Sequence, residues 1–263
     1  MTYLDSIVAW HRRRAASDDR DLHALKRTAL ERLDGRPRRP FLAALQEGSR
    51  LSVIAEIKRR SPSKGDIRVE LDPSSLARRY AVGGATCLSV LTDEPHFGAL
   101  AGDLAAARDA TQLPVLRKDF TVDERDVVDA SLMGADAVLV IVAALSNDEM
   151  RRFVTLASEL RLASLVEVHD EDELSRALDV GATLVGVNQR DLKSFEVDTR
   201  RAERLANLMP RHVVAVAESG IVGASDARRC AEAGYRAVLV GEHLVRSADP
   251  VAALDELRVA LPS

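Results

Sequence analysis

Acidic, basic and amide side chains stand at the ends of several short apolar runs, where they could form one reactive site. They are Glu56, Lys58, Lys118, Asp119, Glu167, Asn188, Glu218 and Ser219. Carboxylates and ammonium groups gathered in apolar surroundings can shift one another's pKa values, as general acid–base catalysis at neutral pH requires. Each residue alone has an equally good structural interpretation, because ion pairs also orient loops. The set as a whole indicates proton-transfer chemistry.

Lysine is rare in this chain, which makes the lysines in this set informative. Of the 37 basic residues only five are lysines, namely Lys26, Lys58, Lys64, Lys118 and Lys193. Arginine stays protonated in proteins, whereas a lysine ammonium can give up its proton and act as a general acid or base. Chance retention explains Lys26, which falls in a charged helical face. At Lys118, retention indicates a task that requires a removable proton.

The reactive residues follow apolar runs that alternate with amphipathic helical segments. These β-branched runs are Leu51–Lys58, Thr86–Leu91, Val115–Phe120, Ala137–Val142, Ser164–Val168, Leu184–Asn188, Val213–Glu218 and Ala237–Gly241. Strands that are apolar on both faces and separated by helices predict a parallel sheet. Eight such units predict a closed α/β barrel, the (β/α)₈ or TIM barrel, which commonly uses about 250 residues. In that fold, side chains at the carboxyl ends of the strands converge on one mouth.

Four glycines repeat along the predicted barrel and support the count of eight units. Gly84, Gly134, Gly181 and Gly234 each end a predicted helix just before an even-numbered strand. Their spacings of 50, 47 and 53 residues each match two strand–helix units. Glycine suits the left-handed conformation that ends many helices. We therefore expect a left-handed residue at each of the four positions.

Residues 1–48 do not follow this alternation and predict an N-terminal helical extension packed on the barrel. Helical patterns cover 4–14 and 21–33, and a break rich in proline separates them from a short helix at 41–45. The segment has too few large apolar residues to fold by itself. A separate interaction arm is the alternative. We predict that residues 49–263 form the catalytic barrel domain.

Two glycine-containing turns predict a phosphate site. Ser219 and Gly220 follow the seventh predicted strand, and Gly241 and Glu242 follow the eighth. Barrels often bind phosphate at these two places, through loop amides and the N-terminus of a short helix. Either turn alone would be an ordinary glycine turn. Together, at the two expected strands, they predict that these four residues hold a phosphate group.

The composition excludes several other classes of protein. Hydrophobic residues make up 46% and charged residues 30%, as in soluble globular proteins. A net charge of −4 gives no basic surface for nucleic acid or an anionic membrane. The charged N-terminal stretch does not match a secretory signal, and the uncharged runs, such as 137–147, are too short to cross a bilayer. We therefore expect a cytoplasmic protein that binds neither nucleic acid nor membrane.

Histidine and cysteine spacing predicts no metal site. The six histidines are scattered, with no pair four residues apart that would place two imidazoles on one helical face. Cys87 falls in a strand pattern and Cys230 in a helix pattern, without metal-type spacing. We expect two free thiols and no bound metal.

The segment Ala55–Gly65 reads Ala-Glu-Ile-Lys-Arg-Arg-Ser-Pro-Ser-Lys-Gly. It resembles the Ala-Glu-x-Lys-x-x-Ser-Pro-Ser-x-Gly signature of the indole-3-glycerol phosphate synthase family. Further similar segments follow in order, namely 89–93, 97–98, 115–120, 165–169, 186–192, 216–221 and 240–242. The resemblance extends from about residue 50 to 246, and the N-terminal region is similar only in being helical. Thr121, Gln189 and His243 depart from the family pattern.

The resemblance implies conversion of 1-(2-carboxyphenylamino)-1-deoxyribulose 5-phosphate into indole-3-glycerol phosphate, with loss of carbon dioxide and water. By similarity, Lys118 protonates the ketone oxygen during ring closure. Lys58 pairs with the substrate carboxylate and is a second candidate acid, while Glu167 removes or relays the proton in dehydration. Glu56, Asn188 and Glu218 complete the implied catalytic set by holding the hydroxyls and the lysines.

Further implications concern binding. The implied substrate-binding residues are Ser61, Phe97, Phe120, Arg190 and Leu239. The two phenylalanines are expected to cover the aromatic ring of the substrate. No redox step or electron sink is needed, so no organic cofactor is implied. The expected partner is the small sugar-phosphate substrate, and the expected assembly is a monomer or a weak homodimer.

Two alternatives share some of these features. Another phosphate-binding barrel enzyme, such as phosphoribosylanthranilate isomerase, would share the two glycine turns, but the Ser-Pro-Ser-Lys-Gly segment argues against it. A barrel that binds a sugar phosphate without catalysis is the second. Loss of Lys118 or Glu167 would indicate that alternative, and both residues are present. The fold by itself does not imply a reaction, so the argument for catalysis rests on these strand-end residues.

Overall fold

The computed structural model describes residues 2–62, 64–191 and 195–262. Ser63 and Lys193, which the sequence analysis singled out, lie outside the described residues. The strands are β1 (Ser52–Ile57), β2 (Arg60–Ser61), β3 (Gly65–Asp66), β4 (Cys87–Leu91), β5 (Val115–Lys118), β6 (Ala137–Ile141), β7 (Ala163–Val168), β8 (Leu184–Asn188), β9 (Val214–Glu218) and β10 (Ala237–Val240). The short β2 and β3 pair antiparallel with each other.

The other eight strands form a closed parallel barrel. Around the barrel the order is β1, β4, β5, β6, β7, β8, β9 and β10, and β10 pairs with β1 to close it. Each of the eight apolar runs in the sequence contributes one of these strands. The predicted (β/α)₈ fold is confirmed. All eight carboxyl ends therefore lie at the same end of the barrel.

Helices surround the barrel and precede it. They are α1 (Tyr3–Ala16), α2 (Leu22–Gly35), α3 (Phe41–Gln46), α4 (Pro73–Val82), α5 (Glu94–Phe97), α6 (Asp103–Asp109), α7 (Glu124–Met133), α8 (Asn147–Glu159), α9 (Glu171–Asp179), α10 (Arg200–Ala206), α11 (Ala224–Glu232), α12 (Glu242–Arg246) and α13 (Pro250–Leu257). In the described part of the chain, no helix is both long and apolar enough to span a lipid bilayer.

Local sequence signals explain where several helices begin and end. At α8, the Ser146 side chain accepts a hydrogen bond from the amide of Glu149, whose carboxylate accepts one from Ser146 in return. This reciprocal cap satisfies amides that have no partner inside the helix. Gly134, at the end of α7, has a φ of +89°. The three other repeated glycines also have positive φ, as expected.

Apolar side chains form two layers. Outward-facing strand residues pack against the surrounding helices, and inward-facing ones such as Leu116 and Leu165 fill the barrel. Two N-terminal helices close the barrel's interior from opposite ends. Phe41 of α3 is buried at the end where the strands begin, and Ile7 of α1 is buried against Phe120, which lies beyond the carboxyl end of β5. Burial of each such side chain contributes about 1.5–3 kcal/mol.

Candidate active site

A cavity of about 760 Å³ opens at the carboxyl ends of the barrel strands. Every residue that the sequence analysis assigned to the site lines this cavity. These residues are Glu56, Lys58, Ser61, Phe97, Lys118, Asp119, Phe120, Glu167, Asn188, Arg190, Glu218, Ser219, Gly220, Leu239, Gly241 and Glu242. Parallel strands bring together side chains that are up to 186 positions apart in the sequence, from Glu56 to Glu242.

Lys118, at the end of β5, lies between two buried carboxylates. Its Nζ is 2.7 Å from Oε2 of Glu167 and 3.2 Å from Oε2 of Glu218. Both glutamate side chains are 2% exposed, against 14% for the lysine. The lysine is therefore the one member of this group with appreciable access to a molecule in the cavity.

Burial and charge move the pKa values of these three groups in different directions. Burial alone would lower the pKa of Lys118, but Glu167, Glu218 and Glu56 outweigh it, so the pKa lies above its ordinary value. Burial alone would raise the pKa of Glu167, but Lys118 and His169 lower it below the usual range. Burial raises the pKa of Glu218, and repulsion from Glu167 opposes the effect of Lys118. The pKa values of the two carboxyl groups thus move apart, that of Glu167 downward and that of Glu218 upward.

A second lysine–glutamate pair lies on β1 and just beyond its end. The Nζ of Lys58 donates a hydrogen bond to Oε1 of Glu56. Gly241 lies against both, because a β-carbon at that position would stand 2.2 Å from Oε1 of Glu56 and 3.2 Å from Nζ of Lys58. The glycine therefore leaves the space that this pair occupies.

Asn188, at the end of β8, connects the catalytic candidates to the predicted phosphate turn. Its Nδ2 donates to Oε1 of Glu167 at 3.2 Å, and its Oδ1 accepts from the Ser219 hydroxyl at 2.9 Å. Gln189, where the chain departs from the family pattern, donates from Nε2 to the Ser219 carbonyl at 2.7 Å. These contacts fix both the side chain and the backbone of Ser219.

The two predicted phosphate turns face the same cavity. Ser219 and Gly220 both have left-handed backbones, with φ of +67° and +72°. Gly241 immediately precedes the short helix α12, which begins at Glu242. The Glu242 carboxylate accepts a hydrogen bond from Nε of Arg246 at 3.1 Å. Of the groups of Glu242, only the backbone amide is therefore suited to bind an anion.

Apolar and aromatic residues form part of the cavity wall. The ring centroids of Phe97 and Phe120 are 6.4 Å apart, and Leu239 is buried at the end of β10. Arg190 donates from Nη1 to the Phe195 carbonyl at 3.0 Å, and its amide donates to Oδ1 of Asn188. Arg190 thus braces the loop after β8 as well as lining the cavity.

Sequence reasoning missed one wall of the cavity. Tyr3, Leu4 and Ile7 of α1 line it, and the ring of Tyr3 contacts that of Phe195 at 5.4 Å. The pattern of apolar residues on α1 indicates that the helix has a buried face. The pattern does not indicate that this face lies over the mouth of the barrel, because nothing local specifies the partner.

A second missed residue is His169, just after β7. Its Nδ1 is 2.9 Å from Oε2 of Glu173, and its Nε2 is 3.7 Å from Oε1 of Glu167. Burial lowers the pKa of His169, but Glu173 and Glu167 outweigh burial and raise it. The imidazole therefore adds positive charge behind Glu167.

Comparisons with a family model and with known proteins all identify the same family. The family model described as indole-3-glycerol phosphate synthase matches residues 4–257. Proteins of that name from Nocardioides sp. and Leifsonia xyli subsp. xyli are 50% and 49% identical to this chain. The first alignment covers 97% of both chains, and the second covers 94% of this chain and 92% of the relative.

Solved structures share the fold at low sequence identity. A 3-hexulose-6-phosphate synthase superposes with a TM-score of 0.62 at 21% identity, covering 81% of this chain and all of that one. A thiamine phosphate pyrophosphorylase from Pyrococcus furiosus gives 0.60 at 18% identity, covering 79% and 93%. These two similarities concern the barrel architecture alone.

Proposed function

Since the chain belongs to the indole-3-glycerol phosphate synthase family, it catalyses the ring closure that forms indole-3-glycerol phosphate in tryptophan biosynthesis, and we propose how its residues do so. The observation that supports the proposal is the position of Lys118 between two buried carboxylates at the base of the cavity. An ammonium group held there is charged and aimed at whatever the cavity contains. It is the strongest candidate for the acid of the first step.

In ring closure, the aromatic carbon that bears the carboxylate attacks the ketone carbon of the substrate. Electrons of the C=O bond move to the oxygen, which takes a proton from Lys118 and becomes a hydroxyl. Carbon dioxide then leaves, and its bonding electrons restore the aromatic ring. Proton transfer by a positioned side chain contributes typically 10²- to 10⁴-fold to a rate.

Glu218 is suited to restore the proton on Lys118. Its raised pKa favours a protonated carboxyl, and its Oε2 lies 3.2 Å from the lysine nitrogen. After Lys118 has given its proton to the ketone oxygen, the neutral amine can take another from Glu218. In this scheme the two carboxylates have different roles: Glu167 holds the charge of the ammonium, and Glu218 holds the reserve proton.

Dehydration completes the reaction. The new hydroxyl leaves as water with a proton from Lys58, and Glu167 accepts the proton lost from the substrate. The low pKa of Glu167 keeps it ionised and able to accept. Glu56 positions Lys58, and Asn188 positions Glu167, through the hydrogen bonds that each makes.

The phosphate group is proposed to lie against Ser219, Gly220, Gly241 and Glu242, where backbone amides can approach it closely. Soaking crystals in inorganic phosphate or sulfate tests this position. We expect an anion beside the two turns. An anion elsewhere in the mouth, with this place unfilled, would contradict the assignment.

Phe97 and Phe120 suit the carboxyphenyl ring, with Ser61 and Arg190 as polar contacts, and Leu239, close to the turn at Gly241, is a further apolar contact for the substrate. The substrate is thereby held with its ring toward the apolar wall and its phosphate toward the glycine turns. This orientation places the ketone between the two ends, near Lys118.

The enzyme acts on a small phosphate-bearing substrate. We further propose that it works in the cytoplasm as a monomer or weak homodimer, without an organic cofactor, a metal ion in the reaction, nucleic acid or membrane. We also propose that the chain divides into an N-terminal extension, residues 1–48, and a catalytic domain, residues 49–263.

The direct test is an activity assay with 1-(2-carboxyphenylamino)-1-deoxyribulose 5-phosphate. Indole fluorescence should rise when the purified chain is added to it. A variant with Lys118→Met serves as the control for background turnover. Binding without any rise in fluorescence would support a non-catalytic sugar-phosphate barrel, and turnover of phosphoribosylanthranilate alone would support the isomerase alternative.

A further inference from the structure

Two histidines and an aspartate meet at the rim of the barrel, and the aspartate, Asp93, also lines the cavity that contains Lys118. Nε2 of His11, on α1, lies 3.0 Å from Oδ2 of Asp93, and Nδ1 of His96 lies 2.9 Å from the same oxygen. One potential ligand atom from each residue lies within 4.8 Å of the other two. Sequence spacing could not predict this group, because His11 is 82 residues from Asp93.

The surroundings hold the three side chains in place. Oδ1 of Asp93 accepts a hydrogen bond from the His96 amide at 2.8 Å and also lies 3.1 Å from Nδ1 of His96, while Oδ2 lies within 3.0 Å of both imidazoles. The Trp10 ring packs edge-on against His11 and His96, with centroids 4.8 and 5.7 Å away. Phe120 packs against the other side of His11, at 5.3 Å. Preset orientation of this kind reduces the entropy cost of binding an ion.

His11 also has an unusual environment for a histidine. It is 3% exposed, yet its Nδ1 has no hydrogen-bond partner among the described residues. With an ion bound, Nε2 would give its lone pair to the ion in place of the hydrogen bond that it makes to Oδ2 of Asp93 at 3.0 Å, and Nδ1 would carry the proton. That is the form in which an imidazole binds a metal ion.

We propose that His11, Asp93 and His96 form a binding site for a divalent transition metal ion, with Zn²⁺ as the best chemical match. Two imidazole nitrogens and one carboxylate oxygen are a common three-residue zinc set that leaves a fourth position for water. Hard ions such as Mg²⁺ prefer oxygen ligands and are disfavoured. The ion would join α1 to the segment after β4, and so fasten the helix that forms one cavity wall.

The test uses the full chain, freed of metal by chelation and dialysis. Calorimetric titration with Zn²⁺ should show one site, and Co²⁺ should produce the visible absorption of a low-symmetry site with nitrogen ligands. His96→Phe should weaken Zn²⁺ binding at least tenfold, since loss of outer-shell support alone commonly costs about 10- to 100-fold. His23→Phe, at an exposed position on α2, is the matched control and should bind like the parent.

Thermal unfolding provides a second readout that does not depend on activity. Zn²⁺ at about a hundredfold excess over Kd should raise the Tm of the parent and of His23→Phe by about 5 °C. It should raise the Tm of His96→Phe by no more than about half as much, because a tenfold weaker site is then at only about tenfold excess over its own Kd. Equal Zn²⁺ affinity in His96→Phe and the parent, or no saturable binding in the parent, would overturn the proposal and leave a proton-sharing cluster in its place.

Discussion

The sequence identifies Lys118 as a candidate acid, but it does not reveal the protonation state of this lysine in the folded protein. The rarity of lysine in the sequence makes this position a candidate acid, and a removable proton is the expected reason for its lysine. In the structure the surrounding carboxylates raise its pKa, so the free enzyme holds the proton firmly. Substrate binding must therefore change the balance of charge before the proton can leave. The reserve proton on Glu218 is part of the same balance.

Replacing Lys118 by arginine should remove the acid without removing the charge. A guanidinium can still bridge Glu167 and Glu218, so folding and most substrate affinity should persist. Turnover should fall by about 10²- to 10⁴-fold, because arginine does not give up its proton at neutral pH. Steady-state measurement of kcat and KM checks this.

Two further variants distinguish an acid role of Lys118 from a purely electrostatic one. Lys118→Met should reduce turnover at least as much as Lys118→Arg. Lys26→Arg should leave turnover unchanged, since Lys26 lies on α2 and pairs with Glu159 outside the cavity. If Lys118→Arg worked near the parent rate while Lys118→Met did not, Lys118 would be an electrostatic anchor, and Lys58 would be the acid.

His169 should make stability depend on pH. Its pKa is raised in the folded state by Glu173 and Glu167, against burial and the opposing charge of Arg201. Its stabilising contribution is therefore complete below the unfolded pKa of about 6.5. The contribution is lost as the pH rises through the raised folded value. His169→Asn keeps a hydrogen-bond donor for Glu173 but cannot take up a proton.

The comparison is made by urea unfolding of the parent and His169→Asn at about pH 6 and pH 9. The difference in unfolding free energy should be larger at the lower pH. All other titrating groups are common to both proteins, so their contributions largely cancel. A difference that stayed constant, or grew with pH, would show that His169 is neutral in the folded protein.

At the scale of the strands, glycine determines where a catalytic side chain can sit. A β-carbon on Gly186 of β8 would lie 2.1 Å from Oε1 of Glu218 and 3.3 Å from Leu165. Gly186→Ala should therefore displace the carboxylate from Lys118. Turnover should fall by about 10- to 100-fold, because a displacement of about 1 Å can cost that much. Overpacking should also cost about 1–3 kcal/mol of stability.

Gly223→Ala is the matched control for this substitution. Gly223 precedes α11, its backbone is extended, and a β-carbon there would meet nothing within 4 Å. Both kcat and the urea midpoint should stay near the parent values. Unchanged turnover in Gly186→Ala would mean that the position of Glu218 is not critical.

Strand ends were predictable from sequence, but the elements that cover them were not. Apolar runs specify strands, and parallel closure then brings Glu56, Lys118 and Glu167 to one mouth without further information. The positions of Tyr3 and Ile7 depend on how α1 packs against loops that are distant in the sequence. Phe195, which contacts Tyr3, is more than a hundred residues away. Local pattern identifies a buried face, whereas only the folded barrel identifies what that face covers.

At the scale of the whole molecule, one end of the barrel carries the cavity, and the opposite end carries a buried ion pair that stabilises the fold. At the end opposite the cavity, Asp136 is buried and accepts hydrogen bonds from Arg108, at 2.5 Å, and from the amides of Val115 and Arg39. Arg108 is also buried. This group ties the chain before α3 to the start of the barrel strands.

Asp136→Asn should destabilise the protein by about 3–5 kcal/mol, because it leaves the buried charge of Arg108 unpaired. Turnover per folded molecule should not change. Asp255→Asn, in an exposed pair with Arg50 at 3.7 Å, should cost less than about 1 kcal/mol. Urea unfolding and active-site titration measure the two effects, and a large loss of kcat in Asp136→Asn would mean that the ends are coupled.

Pairing of β1 with β10 has a consequence for the growing chain. Synthesis proceeds from the N-terminus, so β10 leaves the ribosome last among the barrel strands. Until then β1 and β9 have unpaired edges, which favour aggregation, and Glu56 lacks the wall that Gly241 provides. A nascent chain can thus carry both catalytic lysines and their carboxylates and still have no complete cavity. Chaperone protection would matter most in the interval before residues 237–240 emerge.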